Sequence, residues 1–566
     1  MQGRKRIVII GGVATGPKVA ARARRLMPEA DITVVERGRL ISYGACGLPL
    51  FLAGMVGEVS ELTATPSGIN RDVEYFAKEK NIKFLTRTLA KYIDRAKKEV
   101  IIYDLERNEE NSIQYDELVL ATGAEPVIPP VPGTNLEGVL TLHHPDDAVA
   151  IRAALEAGAQ NIVIIGGGLV GLEAADALVG PKRKITVIEM KEHLLAGALD
   201  PEIAQLVRDQ VEMHGVSVRT GERLVALEGD DESRVTKVIT ERTSLQADLV
   251  ILACGVKPNV ELARECGLAI GNTGAISVNE FLLTSDPHIY AAGDCIENRH
   301  LVTGEPVYVP LASTANKQGR VIGSNLAGYR ERYPGILGTT VMQIFDYNVG
   351  RTGLTETEAR EKGYPVTKAL VAGLDSAHYH PMHAGGIIKV VAHAETGKVL
   401  GAQVVGPGEV IKRLDVLVTA IQLGANIDQI AKLDLGYAPP FATAIDLGIS
   451  AANTLKNKTQ GLAQGIGPIE FVEMLNSQEQ FVILDVRTPE EADDRPLADD
   501  RVVHIPLYEL RQRIGELPKE RKIITLCELG VRAYEAVRIL KGEKFNDVVF
   551  LEGGVFALPA SLVKKP

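Results

Sequence analysis

The apolar positions of the chain gather into short runs that end on glycine. Ile7 to Ile10 leads into Gly11-Gly12-Val13-Ala14-Thr15-Gly16, and a long helical stretch, Pro17 to Leu26, follows. Pro17 suits a first helical turn. Asp31 to Glu36 reads as a second strand ending in an acid. Together these form a βαβ dinucleotide unit. The glycines permit a tight turn, the helix N-terminus faces a pyrophosphate, and the acid takes ribose hydroxyls. The pattern recurs in Asn161 to Ile165, Gly166-Gly167-Gly168-Leu169-Val170-Gly171 and Lys184 to Glu189. This second copy has the full GxGxxG spacing, whereas the first carries Val13 at the middle glycine.

Two further runs close these units, Leu118 to Leu120 with Ala121-Thr122-Gly123, and Leu249 to Cys254 with Gly255. Thr284 to Asp294 then reads as a strand ending in Gly293-Asp294, where a carboxylate can hold a polyol such as the ribityl chain of FAD. The FAD-binding domain is therefore expected in two parts, 1–150 and 271–335, with an NAD(P)H-binding domain, 151–270, inserted between them. Beyond about Gly338 the pattern changes to strands (Gly386 to Val391, Val399 to Val405) and an amphipathic helix, Ile411 to Leu423. This predicts an α+β domain, 336–452, of ordinary size. A polar, glycine-containing linker is expected at 453–467, and a fresh α/β pattern from Ile469 makes a fourth domain, 468–566. The fold class is α/β throughout, apart from the α+β third domain.

Composition narrows the function. A chain of 566 residues suits three or four domains, and 45% hydrophobic with 24% charged residues is ordinary for a globular protein. The net charge of −11 argues against a general nucleic-acid binder. No run is long enough to span a membrane, and the apolar stretch after the basic start Met1 to Arg6 is too short for a signal sequence. Five scattered cysteines, at 46, 254, 266, 295 and 527, point to reduced thiols in a cytoplasm, and no ligand cluster suggests a metal.

Ten residues beyond Glu36 lies Cys46, in Ser42-Tyr43-Gly44-Ala45-Cys46-Gly47-Leu48-Pro49. The small neighbours allow close approach of backbone or flavin, and a helix starting near Pro49 would favour the attacking thiolate. Lys18, Arg22 and Arg25 share one helical stripe suited to phosphates. Glu189 would repel a 2′-phosphate, so NADH is favoured over NADPH.

These residues resemble the single-cysteine pyridine-nucleotide disulfide oxidoreductases, specifically the coenzyme A-disulfide reductase branch fused to a rhodanese domain. Members of the fused form include NADH-dependent persulfide and polysulfide reductases. Relatives with a CxxxxC pair are set apart by Phe51, and the peroxidases by the absence of any histidine before His143. The family motif is Ser-Phe/Tyr-x-Asn-Cys-x-Leu-Pro-Tyr; here Ala45 replaces Asn and Leu50 replaces the last Tyr. The resemblance implies FAD contacts at Gly11, Gly12, Val13, Ala14, Gly16, Glu36 and Arg37. It extends them to Ser42, Cys46, Ala121, Thr122, Gly123, Gly293, Asp294, Pro310, Leu311 and Ala312. Gly166, Gly168, Gly171, Glu189 and Gly255 would serve the nicotinamide nucleotide. Coenzyme A would meet Lys18, Arg22, Arg25, Ser42 and Lys80. Tyr379 and Tyr437 would reach the cysteine of a partner subunit in a homodimer, while a family lysine is replaced by Ile445.

In the rhodanese-like tail, the strand Lys522 to Leu526 ends at Cys527-Glu528-Leu529-Gly530-Val531-Arg532, before a helix from Ala533. A loop of this length can curl N–H groups around a persulfide sulfur, with Arg532 steadying the anion. Four residues between Cys and Arg, rather than the five of related phosphatases, favour sulfur over phosphate. Asp485-Val486-Arg487 and Glu552-Gly553-Gly554-Val555 match other rhodanese positions, but the usual Gly-His-Ile segment is replaced by acidic Ala492 to Asp500. The implied activity is NADH-dependent reduction of persulfide, polysulfide or coenzyme A disulfide through FAD and Cys46, with Cys527 relaying sulfane sulfur. Other readings are an NADH oxidase or peroxidase using a Cys46 sulfenic acid, and a flavin-based redox sensor or sulfur carrier.

Overall fold

The computed structural model describes residues 4–563; the ends of the domains expected at 1–150 and 468–566 lie outside the described residues. The chain divides into two compact units, one of Met1–Gly166, Gly180–Arg183 and Leu224–Ile336, the other of Gly167–Val179, Lys184–Arg223 and Leu337–Pro566. The segment 151–270 contributes to both units.

In the first unit, five parallel strands run in the order Ile289–Ala291, Glu117–Leu120, Arg6–Ile10, Asp31–Val35 and Lys83–Leu85. Ile7 stands opposite Ile32 on one side and Glu117 on the other. Ile7 to Ile10 are all buried, as a parallel strand covered on both faces requires. The strand Ile289–Ala291 joins this sheet although it follows the strands of the second nucleotide unit in the chain. It is shorter than the run Thr284 to Asp294 expected above. Pro287 cannot donate to a ladder, and Thr284 to His288 turn instead, with Asp286 accepting from His288 N at 2.9 Å.

The helix after the first glycines spans Thr15–Leu26, two residues earlier than its sequence suggests. It packs against the helix Ala312–Leu326 at Gly319 and Gly323, where a Cβ on Gly323 would lie 2.6 Å from Arg22 Cβ. Also in this unit, Asn161–Ile165 pairs in parallel with Leu249–Leu252, which pairs with Val139–Thr141.

In the second unit, Lys184–Ile188 pairs in parallel with Ser217–Arg219. An antiparallel five-stranded sheet has the order Thr340–Ile344, Tyr347–Gly353, Val399–Gly406, Gly385–His393 and Val366–Leu374. The helices Val410–Gln422 and Leu447–Thr459 pack on it. The second of these takes over the first half of the linker expected at 453–467. Asp446 caps its start, accepting from Gly448 N at 2.9 Å, and Lys456 and Lys458 suit its C-terminal dipole. The C-terminal sheet is parallel, in the order Gly465–Ile466, Val548–Leu551, Lys522–Leu526, Phe481–Asp485 and Val502–His504.

One buried ammonium organises the core of the second unit. Lys389 Nζ lies 2.9 Å from Asp200, 2.6 Å from Glu202 and 2.8 Å from Glu356. Burial alone would raise the Asp200 carboxyl, but Lys389 and the N–H groups of Glu356 and Thr357 bring it down to about 2. For Lys389, burial opposes the charge and the three carboxylates outweigh it, leaving the ammonium above its ordinary range. The Asp200 contribution to stability is therefore present above its ordinary value of 3.8 and is lost as pH falls through about 2. Lys389→Met should cost about 3–5 kcal/mol by stranding buried carboxylates, measured by denaturant unfolding at neutral pH. Asp200→Asn should flatten the acid limb of the stability–pH curve.

Candidate functional site

The first glycine turn is shaped by steric exclusion. Gly11 has φ +112°, and a Cβ there would sit 2.0 Å from the Ala121 carbonyl oxygen. The Glu36 carboxylate accepts from Gly12 N at 2.7 Å and from Gly38 N at 2.8 Å, so it is locked beneath the turn. Ser42, buried and left-handed at φ 50°, donates its N–H to Gly12 O at 2.9 Å. Thr122 and Asn259 exchange hydrogen bonds, Thr122 Oγ1 to Asn259 O at 2.7 Å and Asn259 Nδ2 to Thr122 O at 2.9 Å. Asn259 escaped the sequence reading because its partner is 137 positions away.

At the far side of the same sheet, Gly293 N donates to Gln318 Oε1 at 2.9 Å and Tyr308 OH to the Asp294 carbonyl at 2.9 Å. The Asp294 carboxyl is raised by burial, with no other group offsetting it. Pro310 and Leu311 lead into the helix that begins at Ala312, and Arg37 is exposed beside Glu36. The turn that excludes a Cβ and a desolvated carboxylate at a strand end fit a flavin dinucleotide, whose pyrophosphate would meet backbone and whose polyol hydroxyls would meet Asp294.

The second glycine turn repeats the geometry. Glu189 accepts from Gly167 N at 2.7 Å and Lys191 N at 2.9 Å, as Glu36 does from Gly12 and Gly38. Gly166 has φ +114°, and its Cβ would lie 2.2 Å from Ala253 O. Gly168 caps the helix Leu169–Leu178, within which Gly171 is buried, and Gly255 is left-handed. Cys254 donates to Ile165 O at 3.5 Å and buried Cys295 to Ala292 O at 3.3 Å, as packing thiols do. Among the described residues no cluster suited to a metal ion occurs.

Cys46 is exposed in a single 3₁₀ turn, Ala45–Gly47, that runs into the short helix Leu48–Leu52 with Pro49 in its first turn. Gly44 N donates to Leu62 O at 2.9 Å, holding the turn in place. Tyr43 stands edge-on to His144, ring centroids 5.5 Å apart, and burial raises its phenol. Of the basic stripe, Lys18 and Arg25 are exposed, whereas Arg22 Nε donates to Ser324 Oγ at 3.1 Å across the helix crossing. Lys80 lies over the Tyr75 ring, 5.4 Å from its centroid.

Tyr379 and Tyr437 meet in the second unit and are 64% and 52% exposed. Hydrogen bonding with Tyr437 holds the Tyr379 phenol above its ordinary range. Their loops are joined where Ala377 N donates to Pro439 O at 3.0 Å. Beneath them Arg413, 2% exposed, binds Asp446 at 3.0 Å and Phe441 O at 3.2 Å, and also donates to Asp375 O at the start of the Tyr379 loop. Sequence reasoning missed this clamp, because a lone arginine in an amphipathic helix carries no signal of its partners.

Cys527 is 1% exposed, and its Sγ accepts from Gly530 N at 3.1 Å and Ala533 N at 3.4 Å. Gly530 is left-handed at φ 96°, which turns its N–H inward, and the next helix spans Val531–Gly542. Arg532 lies in that helix's first turn and donates to Glu491 at 2.7 Å. This bond raises its guanidinium, with Cys527 adding to the effect. Glu528 is held by Arg495 at 2.6 Å. Glu491, just before the acidic segment, thus pairs with the arginine beside the sulfur, and Arg495 within that segment pairs with Glu528, contacts the sequence did not disclose.

Two glycine turns for dinucleotides, an exposed thiol after the first, and a sulfur nested in backbone N–H groups define a dinucleotide-dependent thiol oxidoreductase with a sulfur-carrying domain. The chain belongs to the pyridine nucleotide-disulphide oxidoreductases, which it matches over residues 5–319, with the dimerisation domain of that family over 339–447 and a rhodanese-like domain over 468–560. It is 39% identical to the NAD(P)H coenzyme A polysulfide/persulfide reductase of Pyrococcus horikoshii over 454 residues, 80% of this chain and 99% of that protein. A solved NAD-dependent persulfide reductase from A. fulgidus is similar at 43% identity, covering 97% of this chain and 99% of that one, with TM-score 0.93. The reduced CoADR-RHD of Bacillus anthracis matches at 34% identity over 99% and 98% of the two chains, with TM-score 0.90.

Gly11→Ala, which places a Cβ against Ala121 O, should yield protein with little bound flavin, read from visible absorbance after purification. Ala14→Gly, in the same turn without that collision, should retain it.

Proposed function

We propose that this chain is a flavin-dependent NAD(P)H reductase of coenzyme A persulfide, polysulfide or disulfide, with its C-terminal domain delivering sulfane sulfur. The observation that carries this reading is the sulfur of Cys527, cradled by two backbone N–H groups on the same chain as an exposed Cys46. The persulfide and polysulfide reductases to which the chain is similar support it. An oxidase leaves the C-terminal domain without a role, and a sensor has no need of a second sulfur site.

FAD, when bound, would supply the two-electron relay between NADH and the Cys46 site. The Cys46 thiolate attacks the S–S bond of coenzyme A persulfide; a Cys46–coenzyme A disulfide forms and hydrosulfide leaves. Two electrons from NADH then break that disulfide, releasing the coenzyme A thiol and restoring Cys46. With coenzyme A disulfide as substrate, the first leaving group is coenzyme A thiolate instead. Lys18, Arg25 and Lys80 would supply charge for the coenzyme A phosphates, with Arg22 and Ser42 as further contacts. Glu189, negative and fixed under its turn, favours the ribose diol of NADH over a 2′-phosphate.

Tyr379 and Tyr437, exposed and hydrogen-bonded to each other, act on a partner subunit's cysteine, orienting the adduct or donating a proton. Exposed Met382, Phe441 and Ile445 give the same domain an apolar surface for a second copy. A cytoplasmic setting agrees with five cysteines that form no disulfide, and no described helix is long and apolar enough to cross a membrane.

Anaerobic NADH oxidation with a panel of persulfides, polysulfides and disulfides, measuring sulfide, tests the reading; oxygen or peroxide consumption in place of sulfide release would overturn it. Cys46→Ser should bring NADH-dependent reduction of every sulfur substrate to background. Cys527→Ser should keep coenzyme A disulfide reduction and lose sulfur transfer from donors, and equal loss in both assays would undo the division of labour.

A further inference from the structure

A buried carboxylate joins the sulfur-carrying loop to the antiparallel sheet. Glu552, 0% exposed, directly follows the C-terminal strand Val548–Leu551. Its Oε2 accepts from Leu370 N at 3.1 Å and lies 3.9 Å from Lys368 Nζ, while Oε1 pairs with Lys458 Nζ. Lys458 also donates to the Lys368 carbonyl at 2.7 Å. Every one of these partners lies outside the rhodanese-like domain: Leu370 and Lys368 on the edge strand Val366–Leu374, Lys458 on the helix Leu447–Thr459. An edge strand leaves N–H groups open, and here one is closed by a carboxylate from another domain. A carboxylate needed only for its own domain's fold would find partners inside that domain.

The other side of Glu552 leads directly to the sulfur. Gly554 is left-handed at φ +62°, and a Cβ there would lie 2.4 Å from Cys527 O. Val555 N donates to Cys527 O at 2.9 Å, and Phe556 N to Glu528 O at 3.1 Å. Phe556 then reaches the opposite strand of the hairpin: a Cβ on Gly385 would meet its ring at 2.5 Å. The strands Val366–Leu374 and Gly385–His393 pair from Leu374↔Gly385 onward, and the loop between them carries Tyr379.

We propose that Glu552 is a positioning residue that pins the Cys527 loop to the Tyr379 hairpin and so sets where sulfur leaves the C-terminal domain. This rests on the function proposed above. In the step it serves, a coenzyme A thiolate attacks the outer sulfur of a Cys527 persulfide previously charged by a polysulfide. The new coenzyme A S–S bond forms, the Cys527 S–S bond breaks, and Cys527 leaves as thiolate with no net oxidation or reduction. Glu552 touches neither sulfur; it fixes the loop against the domain whose tyrosines face the coenzyme A adduct.

The test uses full-length holoprotein charged with labelled sulfane sulfur on Cys527, then given coenzyme A and NADH. Glu552→Gln, and separately the charge-balanced double variant Glu552→Gln/Lys458→Met, should slow sulfide release by about tenfold or more, the scale of a misplaced reacting group. Lys368→Met, in a different domain from the sulfur, should act in the same direction. Transfer of the label to cyanide, which needs no coenzyme A, and Cys46-dependent reduction of coenzyme A disulfide should remain at wild-type rates in all three. Unchanged sulfide release in well-folded variants, checked by thermal unfolding, would overturn the positioning role, as would equal loss of cyanide transfer. No sulfide from the charged wild-type protein would overturn the parent reading and the proposal with it.

Discussion

The geometry of the nucleotide sites depends on one steric constraint: a strand must end beside its parallel neighbour with no Cβ between them. At Gly11 that neighbour is the Ala121 carbonyl, and at Gly166 it is the Ala253 carbonyl. Once each turn is that close, its next N–H falls on a carboxylate, Glu36 under one and Glu189 under the other. Helix, turn and acid are then positioned together, and a dinucleotide meets backbone rather than side chains.

The two sulfurs proposed to react are held in opposite ways. Cys46 stands exposed on a turn among small residues, open to a large substrate. Cys527 is buried and its sulfur accepts from two backbone N–H groups, which favour an anion there. The Arg532 guanidinium is paired with Glu491 and also interacts with the Cys527 sulfur, so backbone and side chain both supply positive potential.

The second unit is bound together by buried charges whose partners come from distant segments. Lys389 gathers carboxylates from residues 200, 202 and 356, and Glu552 gathers ammonium groups from residues 368 and 458. Leu370, which meets Glu552, stands opposite Lys389 in the same ladder, so one hairpin carries both seams. Buried ions separated from their partners are costly, so each seam opposes separation of the segments it joins.

Glycine turns, acid-tipped strands, an isolated cysteine among small residues and a cysteine loop before a helix are all local patterns. The sequence by itself therefore determined the α/β class and singled out Cys46 and Cys527 as the two candidate sulfurs. Contacts between distant residues have no such signature. The Thr122–Asn259 exchange spans 137 positions, the Leu370–Glu552 bond 182, and Arg413 binds loops on both sides of itself. The helix through 453–459 and the shortening of the strand before Asp294 were likewise settled by a cap at Asp446 and a turn at Pro287. Periodicity reports which face of an element is buried; which charged group lies across from it was decided only when the chain closed on itself.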